Sequence, residues 1–166
     1  LLHMKNMKSN FTYALPDRSR PQKDNISICI QDTLHKNKIL KLRDCRLWLS
    51  SIFQKNSSIT IRIVDKKESE SLNYSYRNQK KPTNILSFML SENPVIGDII
   101  LCHPVIKNEA SNQNKKIQSH YAHLLIHGYL HLLGYSHDKK LDADEMEKKE
   151  IQILKKYGFQ NPYINS

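Results

Sequence analysis

The segment from residue 127 to residue 137, HGYLHLLGYSH, constrains this chain more strongly than any other. His127 and His131 are four residues apart, so on a helix both imidazoles project from the same face and can reach one ion. Gly134 follows, and glycine readily takes the left-handed conformation that ends a helix. The chain can then turn back and bring His137 to the same ion. Three protein ligands with an open fourth position are typical of catalytic zinc, so we predict one zinc ion per chain at these histidines.

The spacing of this motif matches the metzincin protease signature, H-E-x-x-H-x-x-G-x-x-H, except at its second position. Gly128 stands where those proteases carry the glutamate that acts as general base. The predicted metal site is therefore metzincin-like, whereas peptide hydrolysis by the metzincin route is disfavoured. The sequence assigns no other residue as the general base.

The charge and hydropathy of the chain limit its classes of partner. The net charge is +10 with neutral histidines, which favours a polyanion, either nucleic acid or an acidic membrane surface. No apolar run approaches the roughly 18 to 20 residues that cross a bilayer, so we expect no membrane-spanning segment. The three cysteines, at positions 29, 45 and 102, lack the spacing of a disulfide framework, and we see no secretory signal. We therefore expect a cytoplasmic protein.

The pattern of apolar residues predicts the domain organisation and the fold. Residues 1–24 are polar and basic and show no periodicity, so we predict a flexible N-terminal tail. Residues 25–166 can form one core, and we predict a single catalytic metalloprotein domain. Periodicity predicts strands at 26–30, 59–64, 85–88 and 97–102, and helices at 34–53, 67–76, 109–133 and 142–157. This order predicts an α+β fold: a small, mixed, four-stranded sheet, helices mainly on one face, and a long helix that carries the histidines.

Several blocks of the sequence resemble the YbeY family of bacterial zinc-dependent endoribonucleases, which mature rRNA. The histidine motif is close to the family pattern H-G-x-L-H-L-x-G-Y-D-H, with Ser136 in place of the aspartate. The resemblance extends from about Ile26 to Tyr163. Its other blocks are Leu72-Asn73, Tyr76-Arg77, the run PTNILSF at 82–88, Gly97-Asp98-Ile99 and Asn161-Pro162-Tyr163.

The resemblance implies a function and a set of site residues. It implies a single-strand-specific, zinc-dependent endoribonuclease that matures the 3′ end of 16S rRNA and takes part in ribosome quality control. Its partners would be single-stranded RNA and the small ribosomal subunit, with no membrane partner. Arg77 matches a catalytic arginine of the family, and its planar guanidinium suits bidentate contact with phosphate. Asp138, His123 and Asp98 are candidates for residues that support the metal ligands without binding the ion.

Two other functions fit part of the sequence. A metallopeptidase-like zinc hydrolase would explain the metzincin spacing but not Gly128. A non-catalytic, ribosome-associated zinc protein would need only a basic surface and a stable fold. Replacement of His127 by alanine separates this last interpretation from an enzyme, because loss of a structural zinc unfolds a protein whereas loss of a catalytic zinc leaves the fold intact.

Overall fold

A computed structural model of the protein describes residues 26–36 and 39–164. The predicted N-terminal tail, residues 1–24, lies outside the described residues. The elements in chain order are β1 (Ser27–Asp32), α1 (Leu42–Leu49), β2 (Ser58–Val64), α2 (Lys66–Arg77), β3 (Ile85–Glu92), β4 (Val95–Cys102), α3 (His103–Asn112), α4 (Ile117–Leu132) and α5 (Lys140–Lys156). Across these two ranges, no helix has the length and apolar character needed to span a bilayer.

The strands form one mixed sheet in the order β1-β2-β4-β3. β2 pairs in parallel with both β1 and β4, whereas β3 pairs antiparallel with β4. The β3–β4 hairpin closes over Asn93 and Pro94 only, so these two strands are longer than the sequence predicts. The predicted α+β fold with a mixed four-stranded sheet is confirmed.

The two faces of the sheet are covered unequally. Because side chains alternate along a strand, Ile99 and Leu101 of β4 enter the main core, whereas Ile100 and Cys102 enter a smaller cluster on the other face. Residues of α1, α3, α4 and α5 belong to the main core. Leu72 of α2 packs against the smaller cluster. The helices therefore lie mainly on one face, as predicted, with α2 covering the opposite one.

Two predicted helices have the wrong bounds. The helix predicted at 34–53 forms only from Leu42 to Leu49. Upstream, the Asp32 carboxylate accepts a hydrogen bond from the Leu34 amide at 2.9 Å, and His35 has a φ of 52°, so a tight turn competes with the helix. The helix predicted at 109–133 is two helices, α3 and α4. They are separated near Asn114, whose φ of 52° interrupts the helical path.

Two glycines allow α4 to approach the β3–β4 hairpin closely. A Cβ atom on Gly97 would lie 2.6 Å from the Phe88 carbonyl oxygen and 2.8 Å from a methyl group of Leu132. A Cβ atom on Gly128 would lie 2.8 Å from Cδ1 of Ile85 and 2.9 Å from Oγ of Ser87. Helix α4 therefore rests directly on the hairpin through positions that have no side chain.

Candidate metal centre

The three predicted ligands lie together at the C-terminal end of α4. His127 and His131 are one turn apart on the helix, and Gly134, with a φ of 91°, turns the chain so that His137 returns toward them. The ring centroid of His131 lies 4.6 Å from that of His127 and 4.9 Å from that of His137. One nitrogen of each ring lies within 4.8 Å of the others, so the three imidazoles could hold one ion.

Hydrogen bonds fix which nitrogen of each helical ligand carries the proton. Nδ1 of His127 lies 2.6 Å from Oε1 of Glu150, and Nδ1 of His131 lies 3.0 Å from the carbonyl oxygen of Tyr135. A carboxylate and a carbonyl can only accept, so both Nδ1 atoms must donate. In the neutral form of each ring, Nε2 then carries a lone pair.

These two lone pairs face each other. Nε2 of His127 and Nε2 of His131 are 3.0 Å apart, and two acceptors at that distance need a positive charge beside them. Burial, followed by the neighbouring His127, lowers the pKa of His131 to about 4, so His131 is neutral at pH 7 and its Nε2 keeps the lone pair. A metal cation beside the two rings would supply the positive charge. Three neutral imidazoles suit zinc, and they also suit nickel, copper or cobalt.

Glu150, which the sequence analysis missed, lies behind His127. Its side chain is fully buried at 0% exposure and comes from α5. Burial raises the pKa of this carboxyl, but hydrogen bonds from His123, His127 and Tyr163 outweigh burial and bring the pKa down to about 2. The signal was present in the sequence: Glu150 lies on the apolar stripe of α5 with Met146, Ile153 and Leu154, where a glutamate needs a partner.

The three residues predicted to support the metal ligands lie at different places relative to the three histidines. His123 lies one turn before His127, and its Nε2 is 3.0 Å from Oε2 of Glu150. Asp138 is exposed on the turn directly after His137. Asp98 is buried on β4, and strand alternation puts it on the face of Ile100, opposite to the face that carries α4. Asp98 is thus not brought to the three histidines.

Arg77 is the exposed last residue of α2, on the sheet face opposite to α4. Asp65 caps the start of the helix, and its carboxylate accepts a hydrogen bond from the Glu68 amide at 2.8 Å. The loop after Arg77 is fixed by two bonds from α2. Oγ of Ser69 donates to the Thr83 carbonyl, and Nδ2 of Asn73 donates to the Lys81 carbonyl, both at 2.8 Å. Arg77 is exposed to solvent, and the neighbouring Tyr76 contacts Phe88 of edge strand β3, with ring centroids 4.5 Å apart.

A second pair of a carboxylate and a histidine lies at the other end of α4. Nε2 of His120 is 2.7 Å from Oε2 of Glu109, and Nδ2 of Asn84 donates to both oxygens of that carboxylate. Burial raises the pKa of Glu109, but the bonds from His120 and Asn84 lower it overall. Nδ1 of His120 is buried, with no hydrogen-bonding partner within the described parts of the chain. This pair joins α3, α4 and the residue before β3.

Comparison with known proteins places these features in a family. A family profile described as "Endoribonuclease YbeY" matches residues 22–158. The solution structure of protein TM1509 from Thermotoga maritima is similar to this chain at 25% sequence identity, with a TM-score of 0.56. That similarity covers 79% of this chain and 91% of the Thermotoga protein. Because the profile spans well over half of the chain, including all three clustered histidines, the chain belongs to the YbeY family of endoribonucleases, which act on RNA in rRNA processing.

Proposed function

We propose that this chain is a metal-dependent endoribonuclease that cuts single-stranded RNA with one zinc ion held by His127, His131 and His137. The observation that carries the metal requirement is the pair of Nε2 lone pairs 3.0 Å apart, each fixed by the bond that its Nδ1 donates. His137 completes the group from outside the helix. The family supplies the reaction, endonucleolytic cleavage of RNA.

The side chains have separate tasks in this proposal. A zinc ion bound here would supply Lewis acidity for phosphodiester cleavage. Arg77, exposed and planar, would contact a phosphate of the substrate through two N–H groups and balance its negative charge. Glu150 and the Tyr135 carbonyl hold the two helical imidazoles in the orientation that the site needs. Gly128 faces the sheet, so no general base comes from that position.

We further propose that the substrate is the 3′ end of 16S rRNA on the small ribosomal subunit, within its maturation and quality control, and that the protein acts in the cytoplasm. Membership of the YbeY family and the net charge of +10 support an rRNA substrate. Two of the cysteines support a reducing compartment. Cys45 and Cys102 are free and buried, and burial raises the pKa of both thiols, to about 12 for Cys45.

A cleavage assay on a labelled single-stranded RNA tests the activity. The zinc-loaded wild type should cut it, and a double-stranded RNA of the same sequence should stay intact. His127→Ala, purified identically, should stay folded in the metal-free state, with a melting temperature lowered only because Glu150 loses one donor, and should cut nothing, which also excludes a contaminating nuclease. Arg77→Ala should bind zinc normally and lose cleavage. The ends of the products distinguish attack by water from attack by the RNA 2′-hydroxyl, because the latter leaves a cyclic phosphate.

Three results would contradict the proposal. A wild type that is zinc-loaded and nuclease-free but cuts no RNA is not this enzyme. Unfolding of His127→Ala in the absence of metal would indicate a structural site and a non-catalytic ribosome-associated protein. Release of peptides from casein by the wild type, abolished in His131→Ala, would indicate a metallopeptidase-like hydrolase instead.

A further inference from the structure

A group of three side chains lies behind His127, on the side away from the other two clustered histidines. Glu150 accepts from Nδ1 of His127 through Oε1, at 2.6 Å. Its other oxygen, Oε2, accepts from the hydroxyl of Tyr163 and from Nε2 of His123. The carboxylate is fully buried, and a buried carboxylate is stable only when donors surround it. Here three donors converge on two oxygens.

Tyr163 comes from the segment after α5, beyond the residues matched to the family. One hydrogen bond holds that segment to the loop before α4, and a second fixes its local shape. Nζ of Lys115 donates to the Pro162 carbonyl at 2.6 Å, and the Tyr163 amide donates to Oδ1 of Asn161 at 2.9 Å. Burial and the neighbouring Glu150 raise the pKa of Tyr163, so its hydroxyl stays protonated and donates. The C-terminal segment thus contributes a donor to the interior of the domain.

We infer that Glu150 and Tyr163 are positioning residues for the metal ligand His127, so that the C-terminal segment completes the zinc site. This inference rests on the metal site of the proposed function. Glu150 keeps the His127 proton on Nδ1 and aims the Nε2 lone pair at the ion, and a carboxylate in this position makes the imidazole a stronger ligand. Tyr163, with His123, holds the carboxylate in place through Oε2.

Glu109 provides a matched control on the same helix. It accepts from Nε2 of His120 at 2.7 Å, a bond of the same kind as the one between Glu150 and His127. His120 does not belong to the three-histidine group. Glu109→Gln and Glu150→Gln therefore make the same chemical change, the loss of one charge without loss of shape, and only the second touches a ligand. Tyr157→Phe is the corresponding control for Tyr163→Phe, because its hydroxyl bonds to Ser50 at 2.8 Å.

The experiment measures zinc affinity of the full-length chain by competition with a chromogenic chelator, together with urea unfolding of each metal-free variant. Glu150→Gln should lower the affinity by about 10- to 100-fold, the usual effect of losing the partner of a ligating histidine. Tyr163→Phe should lower it by about fivefold, because one hydrogen bond to the carboxylate is lost. Glu109→Gln and Tyr157→Phe should stay within about twofold of wild type. Cobalt-loaded Glu150→Gln should also show a shifted visible spectrum, and cobalt-loaded Glu109→Gln should not.

The inference fails if Glu150→Gln binds zinc as tightly as wild type, or if Glu109→Gln loses as much affinity. Should Glu150→Gln fail to fold, Tyr163→Phe decides, because it removes one oxygen atom from a partly exposed residue. Unchanged affinity in a folded Tyr163→Phe then overturns the inference. Zinc affinity and RNA cleavage are measured separately, so failure of the inference and failure of the nuclease can be distinguished. A zinc series that behaves as expected in a protein that cuts no RNA would refute the nuclease and leave the positioning residues standing.

Discussion

The two halves of α4 use the same residue types for different purposes. In the N-terminal half, His120 bonds to Glu109, which also accepts from Asn84 before β3. In the C-terminal half, His127 bonds to Glu150 of α5. Both are carboxylate–histidine pairs of nearly equal length, 2.7 Å and 2.6 Å. A carboxylate partner therefore does not by itself identify a metal ligand.

The difference lies in the second nitrogen of each ring. Nδ1 of His120 is buried and has no hydrogen-bonding partner in residues 26–36 or 39–164, and the ring does not belong to the three-histidine group. Nε2 of His127 instead faces Nε2 of His131 at 3.0 Å, with His137 close by. A candidate metal ligand is thus recognised when the ring nitrogen that does not bond to the carboxylate faces the other histidines of the group. His120, His123 and His127 bond to carboxylates and His131 bonds to the Tyr135 carbonyl, which explains why four histidines can lie on one mostly buried helix.

The largest expected effect is on zinc affinity, when one histidine in each half of α4 is replaced by alanine. His131→Ala should lower zinc affinity by more than about 100-fold, beyond the loss of a supporting partner, because it removes a ligand. His120→Ala should leave zinc affinity within about twofold and destabilise the metal-free protein by about 1 to 3 kcal/mol, because Glu109 loses its donor. Chelator competition and urea unfolding measure the two effects.

The two halves of α4 differ in function only if His131→Ala mainly lowers zinc affinity and His120→Ala mainly lowers the stability of the metal-free protein. If His120→Ala weakens zinc binding as strongly as His131→Ala, the two halves do not differ in function. Equal destabilisation of the metal-free protein by both variants, without a difference in zinc affinity, would have the same meaning.

The next effect concerns the face of α4 that rests on the sheet. Gly128→Glu restores the metzincin glutamate, yet a Cβ atom there would already meet Ile85 and Ser87 below 3.0 Å. We expect destabilisation of at least about 3 kcal/mol, from overpacking and from a buried charge without a designed partner. Urea unfolding measures it, and a casein assay should show no gain of peptidase activity. A stable Gly128→Glu that cleaves casein would show that this face opens toward the substrate.

The histidine spacing made the clustering of His127, His131 and His137 predictable, because it depends on local geometry. Residues four apart on a helix meet on one face, and Gly134 takes the left-handed conformation that returns His137. The mixed sheet was predictable from strand alternation. Where a short-range turn competed with periodicity, the prediction was wrong, as at Asp32–His35 and at Asn114. For that reason α1 begins later than predicted, and the helix predicted at 109–133 is divided into α3 and α4.

The supporting residues were harder to predict because they depend on contacts distant in sequence. Glu150 reaches His127 across 23 positions and Glu109 reaches His120 across 11, and neither separation has a periodicity that a sequence shows. Asp98 shows the reverse case. Its acidic side chain suggested the site, but the register of β4 points it to the α2 side of the sheet. Only the assembled fold distinguishes these two outcomes for an acid that the sequence places among apolar residues.

A smaller effect is the pH dependence of the metal-free protein. Burial, then His127, lowers the pKa of His131 from 6.5 to about 4. Between these values the unfolded chain takes up a proton that the folded chain does not, so stability falls as the pH falls from 6.5 toward 4. Burial raises the pKa of Glu150, but its hydrogen bonds lower it from 4.5 to about 2, so more stability is lost below pH 4.5.

Urea unfolding of the metal-free protein at about pH 7 and about pH 5 measures the His131 contribution. His131→Ala should lose less stability over that interval than wild type. Equal losses of stability in the two proteins would show that the fold does not keep His131 neutral. The difference between His131 and His120 would then consist only of where their ring nitrogens lie.

The smallest expected effect is at Asp138, the acid next to His137. Unlike Glu150, Asp138 is exposed, so water competes for any hydrogen bond that it makes. Asp138→Asn should therefore lower zinc affinity by less than about threefold, against about 10- to 100-fold for Glu150→Gln. The same chelator competition measures both. A loss at Asp138 as large as the loss at Glu150 would mean that zinc binding orders the turn from Gly134 to Asp138 and that His137 depends on a carboxylate partner as His127 does. Burial would then not decide which acids support the site.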